Sequence, residues 1–210
     1  KIVARHREHM LTKEQAALLL DKYTSDSYAI ETHRKFRQEL TRKYDEVLKH
    51  FPNKTSDSIY RGYTFRSTNY IKFYKKLLDI LSSGYIFIEP ASSWSNRLNV
   101  ALNFFNGVYS QYSDYSILLK TSVKPASCID ISNSGVMDEN EFILPPKSRI
   151  KVELIALYAQ DECMYWCNSD STSWVRTYLY NDTRMPYIED FIEGLDCLSK
   201  SQKEKLCSYL

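Results

Sequence analysis

The sequence predicts an α+β protein with a layer of helices at its N-terminus. The first 50 residues are mostly polar and carry apolar side chains at helical spacing. From Ser116 onward, most segments have the composition of β-strands. Single helices interrupt this second part, without the regular strand and helix alternation that builds a parallel sheet. With 210 residues, 43% of them hydrophobic, the chain is long enough to bury a core.

The N-terminal layer begins with a predicted capping box. Thr12 and Gln15 stand at the spacing in which each side chain bonds the other residue's backbone N–H. A second helical stretch, "SYAIETHRKFRQELTRKYDEVLKHF", repeats apolar residues at three- and four-residue steps. Pro52 and the polar segment "NKTSDS" end this pattern. We therefore predict a helical layer over residues 1–55.

Short strands and single helices are predicted in the middle of the chain. The segment "SIYRGYTFRS" is typical of a strand that leads into a turn. A helix is predicted over "NYIKFYKKLLDILSSG", where Gly84 is suited to the C-cap. A short strand over "YIFIEPASS" and a helix over "NRLNVALNFFNGVY" follow.

Strands dominate the rest of the chain until its end. They are predicted over "YSILLKTSV", "ASCIDIS", "EFILPP", "SRIKVELIALYAQ" and "SWVRTYLYN", and the tail from Tyr187 returns to helix. We predict a core over residues 56–160. Residues 161–210 form a C-terminal extension, and packing on the same domain is its default interpretation because it is rich in aromatic side chains.

Composition argues against several kinds of partner and cofactor. With 28 Lys and Arg against 26 Asp and Glu, the net charge of +2 gives no reason to expect nucleic acid. Neither common glycine-rich nucleotide motif occurs. No apolar run approaches the ~20 residues that span a bilayer, so no membrane segment is expected. The five cysteines and four histidines lack zinc-site spacing, so no metal is expected.

Two glutamates mark a candidate catalytic site. Glu139 and Glu141 stand one residue apart before the apolar segment "FILPP". If both lie on one strand, their side chains point to the same side, and each carboxylate raises the pKa of the other. A pair of solvated glutamates at a strand end is the simpler alternative.

The order of three motifs favours the catalytic interpretation. They are "YRG" at residues 60–62, "SWS" at residues 93–95 with Ala101 and Phe104 behind it, and "ENEFILPP" from Glu139 with "RIKV" after it. In this order they resemble the mono-ADP-ribosyltransferases of the Arg-Ser-Glu class, which include vertebrate ecto-enzymes, bacterial toxins and phage enzymes. The resemblance covers residues 59–152.

The resemblance implies both a fold and a reaction. The fold would be an ADP-ribosyltransferase-like core of two packed, roughly perpendicular β-sheets behind the N-terminal helical layer. The reaction would transfer ADP-ribose from NAD to an arginine of a target protein and release nicotinamide. NAD would be the substrate, and no metal would take part.

By the family pattern, four residues would act on NAD. Glu141 would bind a ribose hydroxyl and stabilise the positive charge that develops on the ribose. Ser93 would hold the Glu141 carboxylate. Arg61 would bind the pyrophosphate through bidentate hydrogen bonds, and the backbone of Gly62 would meet the nicotinamide amide.

The remaining predicted site residues concern the acceptor and the rest of NAD. Glu139 would orient an incoming guanidinium, because a glutamate at this position is associated with arginine acceptors in this class. Ser95 belongs to the serine motif, Arg97 would assist with phosphate, and Tyr109 is a candidate for stacking. Trp94 departs from the small residue usual in the family and puts the local strand path in question.

Two alternatives to a transferase remain open from the sequence. One is an NAD glycohydrolase on the same fold, in which water replaces the protein acceptor. The other is a catalytically inactive member that acts as a binding module. The sequence leaves the acceptor open, with actin, a small GTPase and other host proteins as candidates. A secreted or host-delivered effector is the favoured setting, with a phage protein or a cytoplasmic enzyme as the other options.

Overall fold

The computed structural model describes residues 10–25, 30–106, 114–132, 140–159, 164–168 and 187–210. Within them the helices are α1 (Lys13–Thr24), α2 (Ile30–Arg42), α3 (Tyr44–His50), α4 (Tyr70–Ser83), α5 (Leu98–Phe105), α6 (Ile188–Glu193) and α7 (Lys200–Cys207). The strands are β1 (Ser58–Phe65), β2 (Tyr85–Ile88), β3 (Ser92–Ser95), β4 (Tyr115–Ser122), β5 (Ile129–Asp130), β6 (Glu141–Leu144), β7 (Ser148–Lys151), β8 (Glu153–Ala159) and β9 (Met164–Cys167).

The strands form one large sheet and one small sheet. The large sheet has the order β5-β6-β3-β1-β4-β8-β9, and β2 pairs with β7 in the small sheet. Every pairing between these strands is antiparallel. The predicted α+β class, with two sheets and an N-terminal helical layer, is confirmed. The perpendicular packing of the two sheets and the boundaries of the three predicted regions stay predictions.

One face of the large sheet is covered by a continuous apolar core, which we call the main core. Helix α4 contributes Phe73 and Leu77, and the small sheet contributes Ile86. The two C-terminal helices contribute Phe191 and Leu206, both fully buried. Part of the C-terminal extension therefore packs against the sheet.

The opposite face is covered in two separate parts. The layer of α1, α2 and α3 packs over the β5 and β6 end, where Leu20 and Leu40 join a cluster with Ile143. Helix α5 packs over the centre, where Phe105 joins a different cluster with Leu118. We call these the layer cluster and the α5 cluster.

Local sequence signals for helix ends agree with the structure. The Thr12 and Gln15 capping box is formed at the start of α1. Gly84 closes α4 with a left-handed backbone at φ 67°, a conformation that glycine adopts without steric cost. Both predictions are confirmed.

Two segments predicted as single strands are divided between the sheets. "SRIKVELIALYAQ" separates at Val152 into β7 of the small sheet and β8 of the large sheet. Val152 is buried, and its N–H donates to the Gly84 carbonyl across the break. "YIFIEPASS" separates in the same way into β2 and β3, with Pro90 between them. Proline lacks the N–H that a continuous ladder needs.

The predicted strand "SWVRTYLYN" lies outside the described residues. No helix in the described part of the chain is both long enough and apolar enough to cross a membrane.

Candidate functional site

A cavity of about 280 Å³ lies between the N-terminal helical layer and α5. Its sheet side is built from β1, β3 and β6, which contribute Arg61, Gly62, Ser93, Ser95 and Glu141. Each of the three predicted motifs thus supplies residues to one cavity, although Arg61 and Glu141 are 80 positions apart in the chain.

Strand register explains why the serine motif and Glu141 meet. Strands β3 and β6 pair so that Ser95 lies opposite Glu141 and Ser93 lies opposite Ile143. Opposite residues in a ladder share a face, and residues two apart on one strand share it too. Ser93, Ser95 and Glu141 therefore project from the same face of the sheet.

Arg61 is held where β1 and β3 separate. These two strands pair only at Tyr60 and Ser95. The Arg61 Nη1 donates a hydrogen bond to the Ser93 carbonyl, and the guanidinium carbon lies 4.9 Å from the centroid of the Tyr63 ring. The buried Arg61 Nε has no hydrogen-bond partner among the described residues. A fixed cation with unused donor capacity is suited to an anionic ligand.

The serine hydroxyls have separate partners. Ser93 Oγ lies 2.6 Å from the Tyr23 Oη of helix α1. Ser95 is buried, and its Oγ accepts a hydrogen bond from the Arg97 N–H at 3.0 Å. The role predicted for Ser93, holding the Glu141 carboxylate, stays a prediction.

Arg97 lies at the N-cap of α5 and is not among the residues that line the cavity within the described part of the chain. Its predicted contact with phosphate stays a prediction.

Tyr23 is the residue of the site that the motif order did not indicate. Burial raises the pKa of its phenol, and the charge of Glu141 raises it further. The hydrogen bond to Ser93 and the charges of Arg61 and Arg37 act in the opposite direction. The phenol is therefore neutral at physiological pH, within electrostatic range of the predicted catalytic carboxylate.

A pattern in α1 could have indicated Tyr23. It ends the buried stripe of Ala16, Leu19 and Leu20, so its hydroxyl is the polar tip of an otherwise apolar face. A buried tyrosine hydroxyl usually finds a hydrogen-bond partner.

Helix α2 adds two basic side chains to the cavity wall. His33 Nε2 lies 2.8 Å from the Tyr23 carbonyl oxygen, and the two rings stack with centroids 5.9 Å apart. Arg37 Nε donates to the Ala91 carbonyl at 3.3 Å. Both residues line the cavity opposite the sheet. No sequence motif indicated either of them.

Gly62 has a packing requirement that the sequence did not reveal. A Cβ at this position would lie 2.3 Å from the Phe105 nitrogen and 2.4 Å from the Ala101 oxygen. Both are backbone atoms of α5, so only glycine lets the helix approach β1 this closely. The predicted contact of Gly62 with the nicotinamide amide stays a prediction.

Trp94 is accommodated because the strand alternates its faces. Its side chain is 2% exposed, packs in the main core and contacts Tyr63 edge-on. Its Nε1 donates to Ser92 Oγ at 3.2 Å. The bulky residue thus points to the strand face opposite to that of Ser93 and Ser95.

Strand β6 begins at the second of the two glutamates. Asn140, directly before Glu141, has a left-handed backbone at φ 44°. The regular alternation of side chains is therefore described from Glu141 onward, and the shared side of Glu139 and Glu141 stays a prediction. Glu139 and Tyr109 both lie outside the described residues.

Comparison with known proteins does not identify the family of this chain. No protein-family model matches the chain, and no curated protein matches it. A solved structure of "Vis toxin, an ADP-ribosyltransferase from Vibrio Splendidus" is similar to it, with a TM-score of 0.39 and 19% identity. The match covers 69% of this chain and 68% of that chain. Likeness at this level carries no argument about activity, which has to rest on the residues of the cavity.

Proposed function

We propose that the chain is a mono-ADP-ribosyltransferase of the Arg-Ser-Glu class that cleaves NAD and transfers ADP-ribose to an arginine of a target protein. One observation carries the proposal. Arg61, Ser93 and Glu141, which the sequence motifs single out, line the same cavity. Chance occurrence of three short motifs would not be expected to bring their polar side chains together.

The proposed reaction breaks the bond between the ribose C1′ and the nicotinamide nitrogen. The bonding electron pair leaves with nicotinamide, which becomes neutral, and positive charge develops on the ribose ring. A guanidinium nitrogen of the acceptor then forms a bond to C1′ and loses a proton. The products are ADP-ribosylated arginine, nicotinamide and a proton, so the reaction balances without an oxidant or a reductant.

Glu141 is the proposed catalytic carboxylate. At the first position of β6, its backbone is fixed by pairing with Ser95, and it borders the cavity. A carboxylate held there stabilises the positive ribose more than the neutral one, and such differential stabilisation lowers the barrier.

The cationic groups on two walls suit the pyrophosphate of NAD. Arg61 is oriented by the Ser93 carbonyl and the Tyr63 ring, and Arg37 lines the same cavity from α2. Guanidinium groups bind phosphate oxygens with paired, charge-assisted hydrogen bonds. The cavity volume is near the lower end of the roughly 300–1,000 Å³ usual for small-molecule sites. We assign this volume to the reacting nicotinamide riboside part of NAD together with the pyrophosphate that adjoins it.

Arginine as the acceptor rests on the resemblance at Glu139. A carboxylate there would pair with the incoming guanidinium and help remove its proton during attack, since free arginine has a pKa above ~12. The acceptor is proposed to be a protein of a host cell.

The test measures transfer and hydrolysis separately. The protein is incubated with labelled NAD and a host-cell lysate; nicotinamide release and labelled protein are both quantified, and the modified side chain is mapped by mass spectrometry. We expect label on arginine. Nicotinamide release without labelled protein would favour the glycohydrolase, and no release at all would favour an inactive binding module.

A glutamate pair provides the control for acceptor choice. Glu139→Gln should lose transfer to arginine and keep much of the hydrolysis, whereas Glu141→Gln should lose both. Identical behaviour of the two variants would contradict this division of roles.

A further inference from the structure

Tyr23 lines the cavity from the N-terminal helical layer and has no role in the reaction proposed above. We propose that Tyr23 of the N-terminal helical layer is a positioning residue of the active site, which donates to Ser93 Oγ and thereby directs the Ser93 proton toward Glu141. The inference rests on the proposed function. It makes the helical layer a part of the catalytic site as well as a cover for the sheet.

The geometry joins two elements that are 70 positions apart in the chain. Tyr23 stands at the end of α1, is 6% exposed and lines the cavity. Its Oη lies 2.6 Å from Ser93 Oγ. The main chain of the same serine is held by the Arg61 guanidinium. Ser93 is thus fixed from both sides, by its carbonyl and by its hydroxyl.

The direction proposed for the Tyr23–Ser93 hydrogen bond follows from the acidity of the two hydroxyls. Each hydroxyl carries one proton, and either oxygen can accept. Because burial raises its pKa, the Tyr23 phenol keeps its proton. A phenol is a stronger acid than an aliphatic hydroxyl, so it is the better donor and the weaker acceptor. The proposed arrangement therefore has Tyr23 as the donor.

The Ser93 proton is then left for a different acceptor. Glu141 projects from the same sheet face as Ser93, and its charge acts on the Tyr23 phenol. An ionised carboxylate only accepts hydrogen bonds. The chain of donation from Tyr23 through Ser93 to Glu141 would fix the carboxylate orientation while the ribose becomes positive.

A purely structural role for Tyr23 makes a different prediction, and the chain offers a matched control. Tyr44, also in the helical layer, donates from its Oη to the Ile143 carbonyl at 2.6 Å and accepts from the Ile129 N–H at 3.3 Å. It ties the layer to β5 and β6 but does not line the cavity. Tyr23→Phe and Tyr44→Phe each remove one buried hydroxyl from the same layer.

The experiment compares steady-state nicotinamide release and urea unfolding for both variants. Tyr23→Phe should lower kcat about tenfold, the effect of one ordinary hydrogen bond, with KM for NAD little changed. Tyr44→Phe should lower stability and leave kcat unchanged in the folded protein. If Tyr23 acts through Ser93, adding Tyr23→Phe to Ser93→Ala should lower kcat no further.

Each outcome decides the matter. Independent, additive effects of Tyr23→Phe and Ser93→Ala overturn the inference, and so does a Tyr23→Phe variant with the kcat of Tyr44→Phe. In both cases an active wild-type protein leaves the proposed function standing. A wild-type protein that releases no nicotinamide overturns the proposed function and this inference together.

Discussion

The two faces of the large sheet are covered in different ways. On one face α4, α6, α7 and the small sheet meet in the continuous main core. On the other face, the layer cluster and the α5 cluster remain separate, and the cavity with Arg61, Ser93 and Glu141 lies between them. Polar side chains are costly to bury without partners. The gap gives them a place where a ligand can reach them.

This difference separates stability from activity. Changes in the main core should lower the free energy of unfolding and leave the chemistry of the folded molecules intact. Substitutions of the polar residues in the gap should impair the chemistry and leave the free energy of unfolding nearly intact.

The largest expected effect on stability is in the main core. Phe191→Ala removes a fully buried ring of α6 and should lower the free energy of unfolding by about 3–5 kcal/mol. Urea unfolding would measure it. The exposed Phe87→Ala serves as the control and should cost less than about 1 kcal/mol. Equal costs for the two phenylalanines would mean that the C-terminal helices do not stabilise the sheet.

A smaller loss of stability is expected where α5 meets β1. Gly62→Ala places a methyl group against backbone atoms of Ala101 and Phe105, which cannot rotate away. The variant should lose roughly 3 kcal/mol of stability, because overpacking forces the helix to shift. It should also lose activity, since α5 forms one wall of the cavity.

Gly84→Ala distinguishes a steric clash from backbone strain. Gly84 has a positive φ of 67°, but a Cβ there meets nothing within 4 Å. The change should cost about 1–2 kcal/mol through the left-handed backbone alone and leave nicotinamide release unchanged. If Gly62→Ala lowers the free energy of unfolding no more than Gly84→Ala does, α5 does not pack against β1 as closely as described.

The last expected effect is absent at neutral pH and appears as a dependence of stability on alkaline pH. Burial, and then the charge of Asp130, raise the pKa of the Cys128 thiol to about 12 from its ordinary 9.0. Below pH 9 the thiol is protonated in both states. Between pH 9 and pH 12 only the unfolded chain ionises there, so the free energy of unfolding falls as pH rises. In Cys128→Ala the free energy of unfolding should fall less steeply with rising pH than in the wild type, as measured by unfolding titrations at several pH values. Equal slopes for the two proteins would contradict the raised pKa.

Local signals predicted much of the fold. The capping box at Thr12, the C-cap at Gly84 and the strand around Arg61 depend on neighbours in sequence, and each is where the pattern indicated. The distribution of strands between two sheets was not predictable in this way, because it depends on partners far along the chain. The breaks at Pro90 and Val152 were therefore missed.

The candidate site was only partly accessible from the sequence. The order of the motifs indicated Arg61, Ser93 and Glu141. It gave no indication of the other cavity residues Tyr23, His33 and Arg37. These three residues lie on helices whose place over the sheet is set by apolar packing, and no short motif encodes that placement.

The central claim is that the gap between the layer cluster and α5 cleaves NAD with Glu141. Its most direct test is the rate of nicotinamide release by wild-type protein, Glu141→Gln and Glu153→Gln. Glu153 is an exposed carboxylate of β8 paired with Lys120, so it controls for loss of one negative charge. We expect Glu141→Gln to be about a hundredfold slower or worse, and Glu153→Gln to match the wild type. Wild-type rates in Glu141→Gln would contradict the account.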